Sequence, residues 1–492
     1  MKYYSTRDAK KQKFESAQVI KQGLAADGGL FIPESIPSLT EDDIKSLCGM
    51  SYPQRAATVL SKFLTDYTYD ELAEDCKAAY SETSFPGGAA PLVKVTDNVY
   101  SLELWHGPTA AFKDMALQIM PRLLSRALVK TGENNTALIL VATSGDTGKA
   151  ALEGYKDIDR IKIMVFYPVD GVSKVQKLQM ATQTGNNVNV CAIKGNFDDA
   201  QTGVKKIFSD TAAAKKLLDN SYILSSANSI NWGRLAPQIV YYVSAYCDLI
   251  NSGEIKYGET VNVCVPTGNF GNIFAAYIAK LMGLPLNKLI CASNANNVLT
   301  DFLATGTYDR NRAFHMTMSP SMDILISSNL ERLLCFASTE EKTAGYMAEL
   351  AKNGKYTIDA ETKTEIDKTF IGFCADESAT SATLKKYYEK LGYLADTHTS
   401  VALDCADQYL SKYNDGKKII VASTASPYKF AADVYKSITD TEAKSDTEAL
   451  DQLSSLTNTD ITYPLRNLTE RKINFDKVIE PSDMLEEVYN FM

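Results

Sequence analysis

TALILVATSGDTGKAALEGYK, residues 136–156, decides how this chain is read. Its first eight residues form a continuous apolar and β-branched run, the pattern of a strand buried on both faces. A turn of small and hydroxylated residues follows, and then a helical pattern. The same unit recurs outward along the chain. IKIMVFYP (161–168) precedes a helix from about 172, and NVNVCAI (187–193) precedes another. VNVCVPTG (261–268) and KKIIVAST (417–424) repeat the theme. Short buried strands alternating with helices predict an α/β protein with two open, mostly parallel sheets flanked by helices. Ligands in such folds gather outside the carboxyl ends of the strands, so the strand-to-helix turns are the places to search.

At 492 residues the chain exceeds one ordinary domain. Residues 1–95 read as a mostly helical N-terminal domain, with AADGGLFIP as a glycine-rich turn. Residues 96–215 read as a smaller α/β domain, and 216–492 as a larger one with a mostly helical insertion at about 300–400.

Hydrophobic residues make up 45% and charged residues 23%, a soluble globular composition, and the net charge of −9 argues against a nucleic-acid partner. An anionic small molecule is still compatible, because a local field can oppose the global sign. Nine cysteines without a C-x-x-C pair suit a reducing compartment. The opening MKYYSTRDAKKQKFES has no apolar signal region, and no apolar run approaches the roughly 20 residues of a membrane span. The expected location is the cytoplasm. His106, His315 and His398 are too dispersed for a metal site, and a structural role is expected for His106.

Five stretches carry candidate chemistry. In PTGNFGN, Gly268, Asn269, Phe270, Gly271 and Asn272 stand between a strand and an amphipathic helix. Two glycines allow the backbone N–H groups to converge, and the helix adds its positive end; both suit a phosphate. No lysine follows, so this is not a nucleotide P-loop. In VATSGDTGK the spacing likewise fails for a P-loop. What remains is a loop of hydroxyls, Thr143, Ser144 and Thr147, at a helix start, able to hold a carboxylate or merely to cap the helix. In HGPTAAFKD, Lys113 stands among small and apolar residues where a helix begins, and Pro121 is placed to kink that helix. Apolar neighbours and the helix dipole both disfavour an ammonium ion there, which favours amine attack on an aldehyde, although a lysine at a helix end can also simply reach solvent. In NSINWGRL, Arg234 can clamp an anion or serve a salt bridge. In STASPYKF, Thr424 sits at a strand end as a ligand contact or a cap.

In this order GLAADGGLFIP, HGPTAAFKD, TSGDTG, NSINWGRL, PTGNFGN and STASPYKF resemble the motif series of the threonine synthases, pyridoxal-phosphate enzymes of the tryptophan-synthase-β fold type, fold type II. The similarity spans nearly the whole chain. It implies that Lys113 forms the Schiff base with pyridoxal 5′-phosphate, that Gly268 to Asn272 wrap the cofactor phosphate, and that Thr424 meets the pyridine nitrogen. It implies that Asp146, with Thr143, Ser144 and Thr147, belongs to the loop near the cofactor O3′ and the substrate carboxylate. Asn228 and Arg234 match positions that contact the substrate phosphate. The implied reaction turns O-phospho-L-homoserine and water into L-threonine and phosphate, with Lys113 as both anchor and main proton carrier. The likeness to the longer branch of the family favours a monomer.

Two departures stand out. Ser426 and Tyr428 replace residues that relatives often carry as histidine and alanine. Asp146 stands where many fold relatives have asparagine; an anion beside the cofactor O3′ requires a shared proton or an indirect contact. Rival readings are a threonine or serine dehydratase or a cysteine synthase, which need no clamp for a substrate phosphate; a non-catalytic binding protein, which would lack the lysine or the glycine turn; and a nicotinamide dehydrogenase, which would need G-x-G-x-x-G after an early strand.

Overall fold

Two sheets organise the computed structural model, which describes residues 1–143, 145–170 and 172–492. The smaller sheet has five parallel strands, in the order Val478–Ile479, Val188–Ile193, Ile161–Pro168, Thr136–Ala142 and Tyr222–Ser225. The larger has six: Phe370–Cys374, Leu286–Ser293, Val261–Pro266, Ile419–Ser423, Val99–Glu103 and Leu92–Lys94. Leu92–Lys94 runs antiparallel to its neighbour and the others are parallel. The central strands are buried along nearly their whole length, as continuous apolar runs require when helices cover both faces.

The N-terminal segment pairs Tyr3–Ser5 with Phe31–Pro33 and adds the helices Ser16–Gln22, Glu41–Cys48, Tyr52–Phe63 and Tyr69–Ala79. Thr40 with Asp43 and Thr68 with Glu71 form reciprocal capping boxes, so these helices begin where the sequence supplies partners for the free N–H groups. The segment docks through aromatic contact: the rings of Tyr3 and Phe63 lie 5.5 and 5.7 Å from that of Trp232, which opens the long helix Trp232–Asn251.

The sheets do not follow the boundaries expected at residues 95 and 215. Val99–Glu103 belongs to the larger sheet, paired with Ile419–Ser423, while Tyr222–Ser225 and Val478–Ile479 belong to the smaller one. Such pairing is non-local and leaves no mark in composition. The stretch expected as a helical insertion does contain the helices Leu330–Ala337, Glu340–Asn353 and Ala360–Asp367, but Phe370–Cys374 within it is an edge strand of the larger sheet. Five residues of apolar run are too few to separate strand from helix by pattern.

The helix expected from Lys113 onward is two helices, Asp114–Leu117 and Met120–Lys130. Pro121 lies in the first turn of the second, where a missing N–H costs nothing and the fixed φ suits a helix start. The short first helix packs against Asp146–Tyr155 so closely that a Cβ on Gly154 would stand 1.9 Å from the carbonyl oxygen of Leu117. Gly154→Ala is therefore expected to lower stability by about 1–3 kcal/mol, despite alanine's better helix propensity, with a lower unfolding midpoint in urea as the measurement.

Candidate active site

The carboxyl ends of the parallel strands meet at a buried group of charges. Residues 110–112 lie antiparallel against 424–426: Phe112 N–H donates to the Thr424 carbonyl (2.8 Å), Ser426 N–H donates to the Ala110 carbonyl (3.1 Å), and Ala111 bridges Ala425. Asp114 folds back on Thr109, accepting its N–H at 2.9 Å and its hydroxyl at 2.6 Å. These contacts hold the turn that presents Lys113, whose side chain is 13% exposed.

Lys113 Nζ lies 3.4 Å from Asp146 Oδ2 and donates to Ser321 Oγ at 3.3 Å. Burial pushes the lysine's pKa down, and Lys429 and Arg234 push the same way, while Asp146 pushes it up. The net direction is downward, toward an uncharged amine. Asp146 is the converse case. Burial alone would raise its pKa, but Lys429 and Lys113 together outweigh burial and hold it well below the usual carboxylate range. Gln176 Nε2 donates to Oδ1 at 2.8 Å, Lys429 Nζ stands 3.0 Å from the same oxygen, and Ser321 donates to Oδ2 at 3.2 Å. In the protein Asp146 is an anion neutralised by ammonium groups.

The glycine-rich turn takes a form the glycines did not foretell. Its left-handed residue is Phe270, at φ 61°, and neither Gly268 nor Gly271 has positive φ. Gly268 is required by close approach instead: a Cβ there would stand 2.7 Å from the Ser321 carbonyl oxygen. Asn329 donates through its N–H and its Nδ2 to the Asn269 carbonyl, both at 3.0 Å, and Ser327 Oγ donates to the Gly268 carbonyl at 2.7 Å. The carbonyls are thereby occupied from behind. The helix Gly271–Leu281 begins at the turn, and in its first turn Asn272 keeps a buried Nδ2 without a partner among the described residues while its Oδ1 accepts from Tyr242. An unpartnered donor at a helix N-terminus fits an anionic cofactor phosphate.

The remaining candidates divide. Thr424 is buried beside Lys113, and its hydroxyl has no partner among the described residues. Thr143 accepts from the N–H groups of Gly145 and Gly148, both at 3.0 Å, so its oxygen caps the helix Asp146–Tyr155. Thr147 is half-buried on the first turn of that helix; Ser144 lies outside the described residues. Arg234 is buried, donates to the Ala227 carbonyl, leaves Nε unpartnered, and has no carboxylate partner among the described residues; burial lowers its pKa to about 10. Asn228 is exposed and accepts the Ile230 N–H from its own loop. His106 pairs with Glu103 at 2.8 Å and stacks on Trp105.

Ser321, Lys429 and Gln176 were not singled out by sequence. Ser321 and Gln176 lie in no glycine-rich turn. Lys429 stands inside STASPYKF, but nothing in that stretch shows that its side chain is buried. His398 enters indirectly: its Nε2 accepts the Ser321 N–H at 3.1 Å and its Nδ1 faces Asp396 at 2.7 Å, so the ring carries its proton on Nδ1.

The family model described as "Pyridoxal-phosphate dependent enzyme" matches residues 84–425, which contain the lysine, the polar loop and the glycine-rich turn, and it makes this chain an enzyme of that class. Residues 2–80 match "Threonine synthase N terminus". Threonine synthase of Pseudomonas aeruginosa is 38% identical, over 89% of this chain and 90% of its own length. The solved structure of PLP-bound threonine synthase from Brucella melitensis superposes with a TM-score of 0.88 at 36% identity, covering 100% of this chain and 99% of that one. This chain belongs to the threonine synthase family. Threonine synthase-like 1 of Pongo abelii is 42% identical over 87% of this chain, which spans only 58% of that relative's length.

Because the pKa of Asp146 is depressed on folding, its contribution to stability is present above the unfolded carboxylate pKa near 4 and is lost as the pH falls below it. Asp146→Asn is expected to cost about 3 kcal/mol at neutral pH by stranding buried ammonium groups. The difference in melting temperature from the wild type should shrink in acid.

Proposed function

We propose that this chain converts O-phospho-L-homoserine and water to L-threonine and phosphate, the last step of threonine biosynthesis, with pyridoxal 5′-phosphate on Lys113. The family assignment supports the cofactor. The observation that carries the substrate is Arg234, a buried guanidinium near Lys113 with no carboxylate partner among the described residues. Beyond the cofactor phosphate at the glycine-rich turn and the substrate carboxylate at the polar loop, such a cation has a use when the substrate brings a phosphate of its own. A dehydratase or a cysteine synthase has no such anion to bind.

Gly268 to Asn272 hold the cofactor phosphate through backbone N–H groups, the helix end and Asn272 Nδ2. The Thr424 hydroxyl meets the ring nitrogen without forcing a proton onto it. Bound there, the cofactor supplies an electron sink for negative charge developing beside the amino-bearing carbon. Lys113, freed when substrate takes its place, has a flexible stem and a lowered pKa, so it takes the Cα proton and carries protons along Cβ and Cγ. The Cγ–O bond breaks and phosphate leaves with the electron pair. A proton taken from Cβ is delivered to Cγ, the oxygen of water bonds to Cβ, the Cα proton is returned, and the proton that water releases goes to the phosphate. Arg234, joined by Asn228 at the exposed end, stabilises the growing charge on the departing phosphate. Ser144 and Thr147 receive the substrate carboxylate, with the Thr143 hydroxyl free to donate while its oxygen caps the loop. Asp146 keeps Lys113 positioned.

The likeness to the longer branch of the family supports a monomer. Nine thiols without a disulfide fit a reducing cytoplasm. No helix among the described residues is long and apolar enough to cross a membrane.

Lys113→Ala should abolish the visible absorbance that pyridoxal phosphate gains on binding; a retained band overturns the assignment. Arg234→Ala should lower kcat/KM for O-phospho-L-homoserine by an amount worth about 2–4 kcal/mol, with a smaller change in cofactor affinity. Phosphate release compared among phosphohomoserine, serine and threonine separates this reading from the dehydratase.

A further inference from the structure

The Asp146 carboxylate is divided between two lysines, one oxygen each. Oδ2 faces Lys113 at 3.4 Å, and Oδ1 faces Lys429 at 3.0 Å. The Lys429 side chain is 0% exposed, and its only other polar contact among the described residues is the Thr109 carbonyl, which accepts at 2.8 Å. Both of its partners are acceptors, so this environment suits an ammonium and offers nothing to an amine. Lys113 differs: beside the carboxylate it meets Ser321 Oγ, a hydroxyl that can accept from an ammonium or turn to donate to an amine.

This asymmetry bears on the chemistry. Lys113 has to spend part of its cycle uncharged. If it were the sole counter-ion of Asp146, each loss of its charge would strand a buried carboxylate, which is costly. With Lys429 in place, an uncharged Lys113 leaves behind a complete ion pair. We propose that Lys429 is the permanent counter-ion of Asp146 and thereby sets the pH at which the Nζ of Lys113 gives up its charge. The inference rests on the reading of Lys113 as the cofactor-bearing lysine.

The other charged groups nearby are engaged elsewhere. Asp114 is turned onto Thr109, and Lys149 pairs with Glu153 at 3.0 Å. His398 directs its proton to Asp396 and presents only an acceptor to the Ser321 N–H. Arg234 disfavours charge on Lys113 as Lys429 does, but has no contact with Asp146. Lys429 is thus a positioning residue acting through Asp146.

The test is a pH titration of the visible absorbance of the enzyme loaded with pyridoxal phosphate, without substrate. Lys429→Met should raise the midpoint by about one pH unit, a tenfold firmer hold on the proton at Lys113 Nζ, and Lys429→Arg should leave it in place. Asp146→Asn should lower the midpoint, and adding Lys429→Met to it should then change the midpoint little, because the carboxylate through which Lys429 acts is gone; a full-unit shift in that background overturns the proposal. An unchanged midpoint in Lys429→Met, with only a loss of stability, would show that Lys429 merely ties down Thr109 and would overturn the proposal. If that single variant does not fold, Lys429→Gln takes its place, and an unchanged midpoint there overturns the proposal. A wild type with no visible band sinks the Lys113 reading itself, a different result from a band whose midpoint ignores Lys429.

Discussion

A carboxylate removed from water must be neutralised where it stands, and much of this molecule's interior is arranged around that requirement at Asp146. The elements that neutralise it come from distant parts of the chain. Lys113 arrives on the turn before Asp114–Leu117, Lys429 on the segment after Ile419–Ser423, Gln176 on Lys174–Ala181, and Ser321 on the stretch beside the glycine-rich turn. Each makes a charge-assisted contact that is stronger in a buried site than at the surface. Together they lock the smaller sheet, which carries Asp146, to the larger sheet, which supplies Lys429.

A second buried cation ties the anion-binding turn to the N-terminal segment. Arg332 is fully buried, and burial lowers its pKa to about 9. It donates to the Phe31 carbonyl at 3.0 Å, to Asn329 and to the Ile230 carbonyl. Asn329 in turn holds the Asn269 carbonyl. One guanidinium therefore joins the paired N-terminal strands, the loop that carries Asn228, and the glycine-rich turn.

The strands were legible because parallel strands covered on both faces must be apolar throughout, and the five runs from 136 to 424 are. The turn at 268–272 was legible as a strand-to-helix turn because glycines, a strand end and a helix start are all local features. Its conformation was not: the left-handed position fell on Phe270, since the glycines were needed for close packing against Ser321 and Asn329. Val99–Glu103 and Tyr222–Ser225 were assigned to the wrong sides of the expected boundaries, because a strand's partner is chosen by non-local pairing. Lys113 stands at a helix start, as its neighbours along the chain predict, yet that helix is shorter than the apolar spacing suggests, because Pro121 reads equally well as a kink and as a beginning.

By itself the sequence determined the order of strands and helices, the placement of polar turns at strand ends, and the family motifs that name a lysine, a glycine-rich turn and an arginine. Those properties depend on neighbours along the chain, where periodicity and turn chemistry operate. Only the tertiary structure decided which charges face one another: that Asp146 lies between Lys113 and Lys429, that Arg234 is left without a carboxylate, and that Asn228 remains at the surface. Coulombic interaction in a poorly solvated interior depends on distance through space and on the exclusion of water, and neither is written in the spacing of residues along the chain.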